Sequence, residues 1–230
     1  MKALRIARRE LGDFLGDRSF VLGLIALIGV PLLLVQIPGG RLPGAVLLIF
    51  AVQSALFPSF MTVNVAASAF IQDKENQTLL PLLAAPISDS QIVVGKLAAI
   101  MIPATAASWI ALGIYYVAAS NRFGGAFVAS ILTPGILYAI AVLAALLVMT
   151  LGSWSLVIAS RVSTVRAAQQ LSGLLIAGLY AAFAFAAQFI FDAFGGALFI
   201  ALPLGLLAAD VVALELARRL WGREEVIART

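Results

Sequence analysis

The stretch that decides the fold is residues 123–160, FGGAFVASILTPGILYAIAVLAALLVMTLGSWSLVIAS, which contains no Asp, Glu, Lys or Arg. A helix needs about 20 apolar residues to cross the hydrocarbon core of a bilayer, so this stretch is long enough for one complete span. Five further charge-free stretches cover residues 19–40, 42–72, 97–121, 167–191 and 193–209. We therefore predict six transmembrane helices, at about 20–36, 44–70, 92–118, 128–158, 168–190 and 195–215.

The composition of the whole chain agrees with this interpretation. Of its 230 residues, 63% are hydrophobic and 11% are charged, and the mean hydropathy is +1.08. Because soluble domains carry about 25% charged residues, an ordinary soluble fold and a disordered chain are both excluded. We expect an all-α membrane protein with an amphipathic interfacial helix at 1–18, a six-span domain at 19–217 and a cytoplasmic tail at 218–230.

The distribution of positive residues predicts the orientation. In the six-span topology, 13 of the 15 Lys and Arg residues fall on one side of the membrane, and only Arg41 and Arg122 fall on the other. Positive residues accumulate in the cytoplasm, so we expect both termini to be cytoplasmic. The chain would then be a multi-pass protein of a prokaryotic inner membrane. The basic residues mark topology and form no patch, so we expect no nucleic-acid partner.

Missing residue types limit the chemistry. The chain has no Cys and no His, which excludes disulfides, a thiolate nucleophile, a zinc site of His and Cys ligands, and a Ser-His-Asp triad. It also lacks the G-x-x-x-x-G-K-[ST] loop that binds ATP phosphates. We expect no cofactor, no metal and no enzymatic activity of the chain by itself.

The first 18 residues have the pattern of a helix lying in the membrane interface. Apolar residues recur there at helical spacing while the bases fall elsewhere, and a leader that only directs topology needs the bases but not this spacing. The apolar positions are Leu4, Ala7, Leu11, Phe14 and Leu15.

The segment 72–91, between predicted spans two and three, has an unusual pattern for a connector. Pro86 ends any preceding helix, and Ser88 with Gln91 forms a capping box that starts the next one. Between these stops, residues 76–84 favour a short helix with leucines on one face. Such an apolar face at the cytoplasmic surface implies a partner, either the membrane surface or another protein.

Residues 75–96 resemble the signature of ABC-2 type permeases, the membrane subunits of one class of ATP-driven exporters. The signature reads Glu-x-Gly-Thr-Leu-x-x-Leu-Leu-x-x-Pro-[Ile/Val]-Ser, followed by Gly-Lys at the start of span three. Gln77 replaces its glycine, and Leu80-Pro81 replaces the usual polar pair. The matching positions are Glu75, Thr78, Leu79, Leu82, Leu83, Pro86, Ile87, Ser88, Gly95 and Lys96.

The resemblance implies how the chain would work. In this family the short helix after span two couples the permease to a separate ATPase subunit, and the substrate path lies at the interface with a second copy or a related permease. The apolar interior favours a hydrophobic or amphipathic substrate. The ATPase-coupling residues implied here are Glu75, Thr78, Leu79, Leu82, Leu83, Pro86 and Ile87.

Polar residues inside the predicted spans are the remaining candidates. Gln53 and Asn64 lie about 20° out of register on one continuous helix, with Ser68 near the same line and Pro58 allowing a kink between them. This stripe either holds helices together by hydrogen bonds or lines the substrate path. Asp210 is the one ionisable residue that interrupts a span, and we expect it near the cytoplasmic edge, within reach of water.

Other functions remain open. A secondary transporter is expected to show inverted repeats and a buried ionisable pair, and neither is recognisable in the sequence. A non-transporting membrane scaffold or assembly factor would also lack catalytic residues. A haem-exporter-like permease is a variant of the exporter hypothesis, although the absence of His gives no support to haem ligation. The sequence does not indicate the substrate.

Overall fold

A computed structural model describes residues 2–36, 44–60, 62, 65, 71, 89–162, 164–174, 176–178 and 198–220. Within these ranges all regular secondary structure is α-helical, as the sequence predicts, and residues 165–174 are helical as well. The helices are α1 (Lys2–Gly16), α2 (Arg18–Val35), α3 (Gly44–Leu56), α4 (Asp89–Phe123), α5 (Gly125–Ile131), α6 (Pro134–Arg161) and α7 (Leu198–Leu220).

Two of the described helices, α4 and α6, are long and apolar enough to cross a membrane. They contain 35 and 28 residues. At 1.5 Å per residue they extend about 52 Å and 42 Å, more than the roughly 30 Å of a bilayer core. A third span is counted if the bent pair Ala7–Asp13 and Arg18–Leu33 is taken as one. The described residues thus support membrane insertion with two or three spans, fewer than the six predicted.

The junction between α1 and α2 is fixed by a side-chain cap. The Asp17 carboxylate accepts hydrogen bonds from the Ser19 backbone N–H at 2.9 Å and from the Ser19 hydroxyl at 2.6 Å. This is the N-cap arrangement, which satisfies a backbone donor that a helix start otherwise leaves unpaired. The same hydrogen bonds from Ser19 lower the pKa of Asp17. Helix α1 occurs where the apolar periodicity predicts one, and its location at the membrane interface stays a prediction.

Predicted span two is interrupted near its middle. Helix α3 ends at Leu56, and the Phe60 N–H donates to the Phe57 carbonyl at 3.2 Å in a tight turn. Pro58 causes the break because it has no N–H to continue the helical ladder and its ring clashes with the preceding turn. Helical backbone resumes at Ser59, so the kink expected at Pro58 coincides with a short break in the helix. The 13 residues of α3 extend only about 20 Å.

Span four was predicted as a single helix over 128–158. This prediction is wrong at its start. The short helix α5 ends at Ile131, and α6 begins at Pro134. Thr133 caps α6, since its hydroxyl accepts from the Ile136 N–H at 3.4 Å and its carbonyl from the Leu137 N–H at 2.9 Å. Proline is favoured at the first helical position because it needs no N–H there.

The chain divides into two compact units. The first unit comprises Met1–Gly12, Thr62–Met101 and Met149–Thr230, and the second comprises Asp13–Met61 and Ile102–Val148.

The core of the first unit joins residues from α4, α6, the 165–174 helix and α7. Side chains of Met101, Val157, Val162, Val165 and Leu214 pack around it. Its buried members are Ile71, Val93, Leu97, Leu156, Ala159, Ala168 and Ala217.

The core of the second unit joins residues from α2 to α6 and is built around Tyr115, which is completely buried. Gly124, between α4 and α5, has a φ of +94°, a conformation that L side chains rarely adopt. The buried members of this core are Val35, Leu47, Ala51, Ala55, Leu112, Tyr115, Ala119, Val128, Leu132, Ile140 and Ala144.

Large apolar side chains also lie on the outer faces of the helices. On α4 the exposed ones are Val94, Ile102, Trp109, Ile110 and Val117. On a water-soluble monomer so much exposed apolar surface along one helix would be unusual, but it is what a lipid-facing helix requires.

Candidate functional site: buried polar groups of the first unit

The first unit contains polar side chains inside its apolar core. They come from α4, α6, α7 and the segments around residues 62 and 172, and each is at most 2% exposed. Polar groups this deeply buried are costly unless they are paired, so they mark the part of the described structure where a functional site is most plausible. The group consists of Thr62, Lys96, Thr150, Ser153, Ser155, Ser172 and Asp210.

Asp210 is the most unusual member of this group. It lies near the middle of α7 and is fully buried in the described structure, so the expectation that water reaches this carboxylate is wrong. Its position near the cytoplasmic edge stays a prediction. Among the described residues, neither Asp210 oxygen accepts a hydrogen bond.

Helix α6 presents hydroxyls on more than one side. Ser153 lies three residues after Thr150, which places the two side chains one above the other on neighbouring positions of the helix surface. Ser155 lies two residues after Ser153 and therefore about 160° away around the helix. Neither Ser153 nor Ser155 finds a hydrogen-bond partner among the described residues.

A glycine in α6 allows a close approach from the segment at Thr62. A Cβ atom at Gly152 would lie 3.4 Å from the Thr62 Cγ2 and 3.7 Å from the Leu97 Cδ2. This side of α6 is therefore in packing contact with Thr62 and α4. The Thr62 hydroxyl, although buried there, has no hydrogen-bond partner within the described part of the chain.

Lys96 is the second charged residue in this core. It is 2% exposed and lies about two turns inside α4, which begins at Asp89. Lys96 is counted among the cytoplasmic positive residues that predict the orientation, and its burial was not predicted. Its distance from the capping box could have indicated burial, because seven residues of helix place a side chain about 10 Å from the helix start.

Two polar side chains of α4 in the second unit instead bind backbone carbonyls. The Tyr115 hydroxyl on α4 donates to the Leu47 carbonyl of α3 at 3.0 Å. The Trp109 indole N–H on α4 donates to the Ala141 carbonyl of α6, also at 3.0 Å. Such bonds connect helices in an apolar environment and have a structural role.

The residues predicted for the substrate path are only partly described. Gln53 lies on α3 and is half-buried. Asn64 and Ser68 lie outside the described residues. The register between Gln53 and Asn64 assumed one continuous helix, and the interruption at Pro58 removes that assumption. The pathway role of these three residues stays a prediction.

The predicted ATPase-coupling residues all lie outside the described ranges. Their role stays a prediction, and the same holds for the short helix that they would form. They are Glu75, Thr78, Leu79, Leu82, Leu83, Pro86 and Ile87.

The described residues include no group of three or more His, Cys, Asp and Glu side chains that could hold a metal ion. Comparison with known proteins gives no family: no family model matches the chain, and no curated protein is significantly similar to it.

Proposed function

We propose that this chain is the permease subunit of an exporter of the ABC-2 type, which moves a hydrophobic or amphipathic substrate while a separate subunit hydrolyses ATP. The proposal includes six spans, cytoplasmic termini, a location in a prokaryotic inner membrane and assembly with a second copy or a related permease. The resemblance of residues 75–96 to the family signature suggests this function, and the helix packing of the first unit supports it.

The observation that carries the proposal is the position of the two ends of segment 72–91. Ile71 precedes the segment and is completely buried, and Ile92 follows it and is 2% exposed. Ile71 also belongs to the same apolar core as Val93 and Leu97. A push on the segment would therefore act directly on packed helices, which is what a coupling element between an ATPase and a membrane domain needs.

The composition of the cores is consistent with the six-span topology. The core of the first unit includes Ile71, Val93, Ala159, Ala168 and Ala217. In the predicted topology these five positions are the cytoplasmic ends of spans two to six. Neighbouring spans that alternate in direction must bring such ends together.

The core of the second unit has the complementary composition. It includes Val35, Leu47, Ala119 and Leu132. The predicted topology assigns these positions to the outer ends of spans one to four.

The coupling chemistry follows from the residues of the segment. Leu79, Leu82 and Leu83 would bury apolar area in a groove of the ATPase, and Glu75 would pair with a basic residue there. Burial of one leucine stabilises a contact by about 1.5–3 kcal/mol. Three leucines on a short helix are then enough to define a docking site.

A second function, that of an ion-coupled secondary transporter, is favoured by one observation. The sequence shows no buried ionisable pair, but the structure buries both Lys96 and Asp210 in the first unit. Ionisable residues inside membrane segments often mark ion or proton pathways. Such a transporter would need no ATPase, and a non-transporting scaffold would need none either. Dependence on an ATPase partner therefore separates the exporter from both alternatives.

The test compares two matched substitutions in the segment. Leu83→Asp places a charge on the predicted leucine face, and Ala85→Asp places the same charge two residues away, just after the end of the predicted helix. The chain is purified from native membranes with its associated proteins, and the co-purified ATPase is quantified. We expect Leu83→Asp to reduce association with the ATPase by about tenfold to a hundredfold, as the loss of about 1.5–3 kcal/mol requires. Ala85→Asp should retain most of the associated ATPase.

Two further results would count against the proposal. Equal ATPase recovery with wild type and Leu83→Asp would show that the leucines do not contact an ATPase. The absence of any co-purifying ATPase with the wild-type chain would favour the scaffold or the secondary transporter.

A further inference from the structure

Helix α1 exposes one edge of its apolar side. Ala7 is 7% exposed, Leu11 is half-buried and Leu15 is 54% exposed. These residues are four apart in the sequence, so each lies about 40° further around the helix than the one before. The apolar side therefore turns from the protein interior to the surroundings. A single exposed leucine needs no partner, but the charges beside Leu15 show which partner would suit it.

Exposed arginines lie next to this edge. Arg8 is about 20° from Leu15 around the helix and Arg9 about 120°, and both are exposed. Asp13 is also exposed, on the opposite side of the helix, about 160° from Leu15. Residues 1–16 contain four Lys or Arg against two Asp or Glu, so the helix carries net positive charge. An apolar edge bordered by arginines fits an apolar surface that carries negative groups.

The chain itself connects α1 to such a surface. Asp17 alone separates Gly16, where α1 ends, from Arg18, where α2 begins. Helix α2 exposes large apolar side chains along its length, which is what a lipid environment requires. The end of α1 is therefore held where the hydrocarbon-facing surface begins, at the depth of the lipid headgroups. The exposed side chains of α2 are Leu22, Ile25, Leu32 and Leu33.

We propose that α1 binds anionic phospholipid headgroups, with Leu15 among the upper acyl chains and Arg8 and Arg9 on lipid phosphates. A guanidinium suits this role because it stays charged and donates two parallel hydrogen bonds to one phosphate. Basic amphipathic helices bind membranes by apolar burial together with attraction to anionic lipids. The predicted interfacial position of α1 leaves the lipid class open, and the proposal names it. It does not rest on the exporter function.

The experiment measures the depth of two matched positions on α1. The chain has no native Cys, so a nitroxide can be attached at Leu15→Cys or at Gly16→Cys alone. Gly16 is exposed and lies about 100° from Leu15 around the helix, and a Cβ atom there would meet no other atom within 4 Å. The full chain is placed in nanodiscs of phosphatidylcholine, with or without phosphatidylglycerol. Relaxation of the nitroxide by oxygen reports hydrocarbon, and relaxation by a water-soluble nickel chelate reports water.

We expect phosphatidylglycerol to move the label at Leu15→Cys into the hydrocarbon. Its relaxation by oxygen should increase and its relaxation by the chelate should decrease, whereas the label at Gly16→Cys should stay accessible to the chelate. Because the attraction is electrostatic, the response should be largely lost in about 1 M NaCl, where the Debye length is about 3 Å.

Charge substitutions connect the response to α1. In the Leu15→Cys background, Arg8→Gln together with Arg9→Gln should remove most of the response to phosphatidylglycerol, and Arg8→Lys with Arg9→Lys should retain most of it. Arg161→Gln with Arg166→Gln is the matched control. It removes the same two charges from other exposed positions and should leave the response unchanged.

Two results would overturn the proposal. Equal depth of the label at Leu15→Cys in the two lipid mixtures would show that α1 does not recognise anionic lipid, and a label shielded from both relaxing agents in both mixtures would indicate a protein partner instead. An equal loss of response in the Arg161 and Arg166 control would show an effect of overall charge and not of α1.

Discussion

The two units of the chain bury different kinds of polar group. In the second unit the described buried polar side chains carry hydroxyls: those of Tyr115 and Ser54 donate to backbone carbonyls, whereas that of Ser108 has no hydrogen-bond partner among the described residues. The first unit also buries hydroxyls without such a partner, and it differs in burying two charged side chains, Lys96 and Asp210. Hydroxyls are common in the packing of membrane helices, whereas a buried charge is costly and is expected where a group is retained for another role.

Two aspartates differ in the burial of their charge. Asp17 is fully exposed, starts α2 and accepts two hydrogen bonds from Ser19. Asp210 is fully buried in the middle of α7 and accepts no hydrogen bond within the described structure. Helix capping alone explains why an aspartate occupies position 17. No local structural need explains the aspartate at position 210.

The largest effect is expected from labelling of single cysteines, because the result is all or none. The chain has no native Cys, so each introduced thiol is labelled alone. In intact cells, a membrane-impermeant maleimide should label Gly39→Cys and Ala126→Cys, which lie in predicted external connections. It should label Ser88→Cys and Thr230→Cys only after the membrane is opened. Labelling of Ser88→Cys in intact cells would contradict the predicted topology.

Apolar packing should contribute equally in the two units. Leu156 in the first unit and Leu47 in the second are both completely buried, so Leu156→Ala and Leu47→Ala each leave a cavity. We expect each to lower the free energy of unfolding by about 2–5 kcal/mol, as measured in mixed micelles. Leu204→Ala is the control because Leu204 is 60% exposed and should cost little. A large effect in one unit only would show that the units differ in packing and not just in polarity.

Removal of a hydroxyl should have opposite effects on stability at a hydrogen-bonded site and at an unpartnered site. Tyr115→Phe loses the hydrogen bond to Leu47, and we expect destabilisation by about 0.6–1.5 kcal/mol. Ser172→Ala removes an unpartnered hydroxyl and should be neutral or stabilising by up to about 1 kcal/mol. Both are measured by unfolding in the same micelles. Destabilisation by Ser172→Ala comparable with that of Tyr115→Phe would contradict the comparison.

The smallest effect is expected at Asp17 and depends on pH. Because hydrogen bonds from Ser19 lower its pKa, the ionised cap stabilises the fold above the unfolded pKa of about 3.9. This contribution is lost as the pH falls through the lower folded pKa. Asp17→Asn keeps a capping side chain without the titration. The unfolding free energy of the wild type relative to Asp17→Asn should therefore decrease as the pH falls below about 4. A constant difference would show that the cap does not depend on its charge.

The sequence predicts the helical class and the start of α4 well. Charge-free stretches and the capping box depend on local chemistry, which the sequence states directly. The short break at Pro58 lies where a kink was predicted, and the break before Pro134 was missed. Thr133-Pro134 is a helix-start signal, but the long apolar stretch around it dominated the interpretation.

The candidate site was much harder to predict. The positions of Lys96 and Asp210 relative to the ends of predicted spans suggest contact with water. Their burial depends on which helices pack beside them, and this is a tertiary property that periodicity does not contain. The hydroxyls of α6 were missed for a similar reason, because Ser and Thr are common in membrane helices and usually bind a carbonyl of their own helix.

The most direct test of the exporter function is ATP turnover in proteoliposomes. The chain, its co-purified ATPase and the complex of the two are measured separately, and the complex is also prepared with Leu83→Asp. We predict no nucleotide binding or hydrolysis by the chain alone, turnover coupled to transport by the complex, and loss of this coupling in Leu83→Asp. ATP hydrolysis by the purified chain alone, or unchanged coupled turnover with Leu83→Asp, would contradict the account.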